Sequence, residues 1–244
     1  MLADQNLSSA CAGLLSKNIQ FGRPQRSGLL DFVAAALIQW RNDDDRPEKT
    51  SETDLTSQFC SYLNTAARQS TWDFLQFKVE EPDETTPGRK VDLVANPCGS
   101  IVWASGRRCT HYDTLLPIEC KRLPTPKGTE RDEREYVTAG KKTVGGMQRF
   151  KWGYHAANHE LAGMIAFVQA DNLDAWLERI NQWIFDLAMD NTSGWQRDDI
   201  VYPLLSHSSV GLGTYSSRHL RAAGTHIEIR HMWIEMSRRE ATSH

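Results

Sequence analysis

The sequence predicts an α/β fold, a mixed central β-sheet flanked by helices. Segments with apolar residues at helical spacing, clearest at Gly28 to Trp40, Glu52 to Arg68 and Asp171 to Met189, are interleaved with short apolar runs such as Leu115 to Lys121 and Leu161 to Val168. Turn-forming clusters separate them, among them Pro82 to Gly88 and Asn96-Pro97-Cys98-Gly99-Ser100. At 244 residues the chain is long enough for one substantial core and short for two.

Met1 to Arg26 is weakly patterned and reads as a lead-in. From Gly28 to Trp40, the residues Leu29, Phe32, Val33, Ala36, Leu37 and Trp40 recur at i, i+3 and i+4, which predicts an amphipathic helix. Arg41 to Ser51, with three successive Asp and then Pro47, is a solvated connector. Residues 1–47 therefore read as an N-terminal helical extension and linker, and 48–244 as the main domain. Ser51-Glu52-Thr53-Asp54 has the form of a capping box, and Leu55, Phe59, Leu63 and Ala66 carry the helix on to about Arg68. Strands follow at Trp72 to Glu80, Lys90 to Ala95, Ile101 to Ala104 and Leu115 to Lys121. Pro124 and Pro126 end regular structure. Beyond them come a helix within Met147 to Asn158, a buried strand at Leu161 to Val168, the helix to Met189, and late strands at Ile200 to Leu205 and Thr225 to Glu235. Ser206 to Gly213 reads as a loop, and there is no internal repeat.

The net charge of −3 excludes a polycation. Five cysteines, an odd number with no C-x-x-C pair, disfavour disulfide and zinc frameworks, and Cys98, Cys109 and His111 lack an evident fourth ligand. The N-terminus lacks the basic-then-apolar order of a secretory signal, and no apolar run approaches the roughly 20 residues of a membrane span. A cytoplasmic protein with no membrane partner is the expectation.

The chemistry centres on Ile118-Glu119-Cys120-Lys121. Side chains at i and i+2 of a strand share a face, so Glu119 and Lys121 project together from an apolar lead-in, where a charge needs a partner. Asp92 lies on an earlier apolar run, 26 residues separating it from Glu119. This Asp…Glu-x-Lys pattern resembles the PD-(D/E)XK phosphodiesterase superfamily, with Val91 where the superfamily name has Pro. The resemblance implies a restriction-endonuclease-like core and a metal-dependent nuclease, DNA being the first expectation and endonucleolytic cleavage the expected mode. It also implies that Asp92 and Glu119 hold Mg²⁺, for which Mn²⁺ can substitute, with the Cys120 carbonyl as a third ligand and Lys121 orienting the attacking water. Members commonly carry a Glu on the first core helix that reaches the metal, and Glu52 matches it; complementing the helix dipole is the other reading of Glu52. Small nucleases of this kind often belong to bacterial defence or mobile-element systems, an analogy at family level only.

From Glu119 to Tyr154 there are nine Lys/Arg against five acids, which points to an anionic partner. Lys141, Lys142, Gln148, Arg149 and Lys151 are the nucleic-acid-binding candidates, with Gly145-Gly146 offering backbone N–H groups to a phosphate. Gln148 with Trp152 four residues on is similar to a Gln-x-x-x-Tyr element of some superfamily members. His155 and His159, four apart, read as surface histidines, and Ser216, Ser217, Arg218, His219 and Arg221 as phosphate contacts or a surface turn. Two alternatives stay open: a non-cleaving nucleic-acid-binding or scaffold subunit on the same fold, and an unrelated α/β protein with an incidental Glu-x-Lys. A homodimer, or a partner protein in a multi-component system, is compatible with either functional reading.

Overall fold

The structure, a computed structural model, describes residues 18–126, 132–139, 145–207 and 210–237, with the backbone alone for 205–207. It is a mixed α/β fold with helices on both faces of a mixed sheet. The elements are β1 (Asn18–Gln20), α1 (Arg23–Asn42), α2 (Glu52–Arg68), β2 (Leu75–Pro82), β3 (Lys90–Pro97), β4 (Ile101–Ala104), β5 (Arg107–Cys109), β6 (Leu116–Leu123), α3 (Gly146–Lys151), β7 (Leu161–Val168), α4 (Leu173–Met189), β8 (Tyr202–His207), β9 (Leu212–Leu220) and β10 (His226–Glu235). Short 3-10 turns stand at Glu133–Tyr136 and Arg197–Asp199.

The main sheet runs β2-β3-β6-β7-β10-β9-β8. β2, β3 and β6 are antiparallel neighbours, β6, β7 and β10 are parallel, and β9 and β8 continue antiparallel. β1, β4 and β5 form a separate small sheet. The strands at the centre are apolar on both faces because both faces are covered. Leu116, Ile118 and Cys120 of β6 join Ile165 and Phe167 of β7 under α1 and α2, while Leu123, Met164, Ala166 and Val168 face α4 and α3 with Trp176, Ile180 and Phe150. Every residue of β7 is buried. The period-2 alternation of β6 therefore sends Glu119 and Lys121 to the α3/α4 side.

The Ser51 cap forms as its residue type requires: Ser51 Oγ accepts from Asp54 N at 3.1 Å, and Asn172 caps α4 in the same way. Such caps each contribute about 1 kcal/mol. Helix α1 starts five residues before Gly28 and belongs to the same core as the sheet: Leu29, Leu30, Val33, Leu37 and Trp40 pack with Phe59, Ile118 and Phe167. It is not an appended extension, because its apolar stripe has no other surface to bury against. Strand β9 replaces what reads in the sequence as a loop followed by a turn. Its Ser216, Ser217 and His219 are polar by type yet wholly buried, so a hydropathy pattern hides it.

Candidate active site

Strand β6 brings the predicted residues together. The β3–β6 ladder pairs Leu93 with Ile118, and one step further Asp92 accepts the Cys120 N–H through Oδ2 at 2.9 Å. A side chain thus takes over a backbone hydrogen bond where the ladder ends, which holds the carboxylate against β6. Lys121 Nζ lies 3.1 Å from Glu52 Oε1, 3.4 Å from Asp92 Oδ2 and 3.8 Å from Glu119 Oε2, and donates to the Cys120 carbonyl at 2.8 Å. Glu52, in the first turn of α2, also accepts the Arg122 N–H at 3.1 Å, so it bridges the helix end to the strand. From the first turn of the helix its carboxylate reaches the charged cluster.

Glu119 is completely buried. Its Oε1 accepts from His155 Nδ1 at 2.5 Å and its Oε2 from Arg149 Nη1 at 2.9 Å. Burial pushes its carboxyl up, but the His155 hydrogen bond and the charges of Lys121 and Arg149 outweigh this and hold it at about 2. Asp92 goes the other way. Burial and the Glu119 charge raise it to about 7, against the opposing Lys121 charge and Cys120 N–H. Burial works against the Lys121 ammonium, yet Asp92, Glu52 and Glu119 outweigh it and keep the ammonium protonated.

Three carboxylates therefore crowd around one ammonium, with an Arg at the flank. The donors facing Lys121 Nζ are all oxygens, from Glu52, Asp92, Glu119 and a backbone carbonyl, and the Asp92 carboxyl is pushed toward neutrality by burial and by the Glu119 charge. That donor set fits a hard divalent cation. Among the described residues no group of three or more His, Cys, Asp or Glu side chains converges as a ligand set. An ion here would rest on Asp92, Glu119 and the Cys120 carbonyl, its other positions taken by water or substrate, as Mg²⁺ prefers.

The binding candidates separate. Arg149 reaches the site, but only 25% of its side chain is exposed, and it is paired with Glu119. Lys151 points the other way: only 2% exposed, its ammonium lies 2.8 Å from Asp199 Oδ2, so it is not a phosphate contact. Gln148 is also buried, its Oε1 accepting from Thr138 Oγ1 and Gly145 N at 3.1 Å each. The glycine pair is closed to a phosphate as well. A Cβ at Gly145 would stand 2.4 Å from the Thr138 backbone and one at Gly146 2.3 Å from Met164 Cε, so Gly145 lets the start of α3 press onto the 132–139 segment and Gly146 onto β7. Lys141 and Lys142 lie outside the described residues.

His155 is no surface residue, being 2% exposed and bonded to Glu119. Its i, i+4 spacing with His159 was a signal, but of the pair only His155 turns to the site; His159 lies 3.5 Å from Glu84. Ser216, Ser217, His219 and Arg221 are buried too, so of that group only Arg218 faces solvent. Among the described residues no helix is long and apolar enough to cross a membrane. Comparison with protein-family models, curated proteins and solved structures finds no match to this chain.

Proposed function

We propose that the chain is a Mg²⁺-dependent nuclease of the PD-(D/E)XK kind, on a restriction-endonuclease-like core, acting on DNA. The observation that carries this reading is the buried Lys121 ammonium within 4 Å of Asp92, Glu52 and Glu119, carboxylates from three different elements. A structural ion pair needs one acid for one base, whereas here Lys121 and Arg149 face three acids, and burial with the Glu119 charge raises Asp92, the acid left over, to about 7. Surplus like charge in a buried place costs stability and is retained where it does chemistry.

In this reading Asp92, Glu119 and the Cys120 carbonyl hold the ion, which when bound polarises a phosphoryl oxygen and makes its water easier to deprotonate. Lys121, held by Glu52 and the Cys120 carbonyl, would turn toward the attacking water the N–H it gives here to Asp92, once Asp92 serves the ion instead. Arg149, half-held by Glu119, is placed to meet a scissile phosphate. Exposed Trp152, whose ring meets Tyr154 edge-on at 5.7 Å, offers a stacking surface beside α3.

The second reading, a nucleic-acid-binding or scaffold subunit that does not cut, is favoured by one observation: both Glu119 oxygens already have protein partners. Cleavage of circular and linear DNA with Mg²⁺ or Mn²⁺, by the wild type beside Asp92→Ala and Lys121→Ala, decides between them. Cleavage by the wild type alone, with all three proteins folded by circular dichroism, supports the nuclease, and nicking of the circle identifies an endonuclease. A folded wild type that cuts nothing with either metal favours the binding subunit, alone or in a multi-component system.

A further inference from the structure

His155 is carried on a segment that the fold holds in an unfavourable shape. Gly153 and Ala156, on either side of it, both have positive φ, 69° and 56°. For Gly153 this ends α3 without strain, but for Ala156 a left-handed conformation costs on the order of 1 kcal/mol or more. Two side chains hold it there. Asp83, in the turn between β2 and β3, accepts the Ala156 N–H at 3.0 Å. Arg221, just past β9, ties this segment to the end of α3: Nε donates to the Phe150 carbonyl of the helix at 3.0 Å, Nη2 to Ala156 at 2.8 Å, and Nη1 to Ala157 at 2.9 Å and His159 at 3.0 Å.

Arg221 is 5% exposed and, among the described residues, its charge is met by backbone carbonyls alone. Burying a guanidinium without a carboxylate is costly, and a simple loop closure does not need it. The segment so pinned delivers one side chain to the interior of the site, His155, with Nδ1 on Glu119 Oε1. An ionised carboxylate only accepts, so Nδ1 carries the proton of that bond. With Oε1 taken, Oε2 is the oxygen turned toward Lys121; it already accepts from Arg149 Nη1 at 2.9 Å, so it is its second lone pair that is left for a cation.

We infer that the 153–159 segment, clamped by Arg221 and Asp83, is a positioning device. It holds His155 against one oxygen of Glu119, so that the other is presented to the cation, and His155 thereby sets the affinity of the site for a divalent ion. The inference rests on the metal reading above. His155 touches neither the ion nor the substrate and is a positioning residue. Losing such a partner of a ligating carboxylate typically lowers metal affinity about 10–100-fold.

The test is calorimetric titration of the full chain with Mn²⁺, comparing wild type, His155→Ala, His155→Asn and Asp83→Ala, with circular dichroism and melting temperature recorded for each. The amide of Asn can place its N–H where Nδ1 stands. We expect His155→Ala to bind Mn²⁺ about tenfold or more weakly, His155→Asn to restore affinity to within a few-fold, and Asp83→Ala to weaken binding through the loop. DNA cleavage by His155→Ala should need correspondingly more Mn²⁺ for half-maximal rate, and approach the wild-type kcat with unchanged KM for DNA once Mn²⁺ is saturating. A folded His155→Ala with wild-type affinity overturns the inference and leaves the nuclease reading standing, as does an Asn variant as weak as the Ala variant. A wild type that binds no Mn²⁺ overturns the metal reading and this inference with it.

Discussion

Two buried polar clusters lie on the same side of the sheet, and they are built on opposite principles. Around β6, Asp92, Glu119 and Glu52 face two cations, Lys121 and the Arg149 bonded to Glu119, and Asp92 is driven to about 7 by burial and by its neighbour's charge. Around β9 and β10, Lys151, Asp199, His219, Ser217, His231, Tyr136 and Trp233 form a chain in which each group has its own partner. Burial favours the neutral form of both imidazoles there. One assignment of protons then satisfies every link. His219 Nδ1 donates to Asp199 at 2.7 Å, Ser217 donates to His219 Nε2 at 2.7 Å, and His231 Nε2 donates to Ser217 at 2.8 Å. Tyr136 donates to His231 Nδ1 and accepts from Trp233 Nε1, both at 2.7 Å.

Asp199, His219 and Ser217 stand in the order that activates a nucleophile when it faces a cleft. Here Ser217 and His219 are wholly buried, and the arrangement serves architecture. The difference teaches how to tell a candidate site from a core: matched polar groups sealed from solvent specify packing, whereas unmatched charge that still touches solvent marks a place to look for chemistry. Side-chain exposures of 27% at Asp92 and 23% at Glu52 give the first cluster its opening.

The largest effect should come from Asp199→Ala. It strands the Lys151 ammonium and the His219 Nδ1–H, and a urea titration should show a loss of about 3–5 kcal/mol. Asp92→Asn should do the reverse at the other cluster. It relieves crowded charge, so the melting temperature of the metal-free protein should hold or rise at pH 8, while DNA cleavage falls at least about a hundredfold, as for loss of a group acting in the transition state. A large destabilisation by Asp92→Asn would erase the contrast. Ser217→Ala leaves two imidazole nitrogens without a partner and should cost about 1–3 kcal/mol, with kcat/KM for DNA unchanged; loss of cleavage in a folded Ser217→Ala would make the sealed chain part of the machinery.

The smallest signal is a pH dependence. Because the Asp92 carboxyl is raised from 3.8 to about 7, its contribution to stability is fully present below about 4 and lost as pH rises through 7. The melting temperature of the metal-free wild type minus that of Asp92→Asn should therefore fall between pH 5 and pH 8. Glu119 is lowered, so its contribution is lost only as pH falls through about 2, outside that window.

Much of the first cluster was legible in the chain. The Ser51 cap, the α2 periodicity, the strand alternation at Glu119 and Lys121, and the turn that returns β3 to the sheet are local properties, decided within a few residues by propensity and period. They place each residue on its element; that Asp92, Glu52, Glu119 and Lys121 meet was expected only from the resemblance of the Asp…Glu-x-Lys pattern to a known superfamily. The second cluster was not legible, because Ser216, Ser217 and His219 are polar, and only strands and helices distant in sequence make their burial tolerable. Lys151 and Arg149 make the same point two residues apart on one short helix. By sequence both are exposed cations, but the helix turns one to Asp199 and the other to Glu119. The sequence by itself determined the elements and the acid–base spacing on β6, since these follow from local geometry. Only the tertiary structure decided which polar groups are matched and which remain in surplus, because a charge's partner is chosen by packing across the sheet.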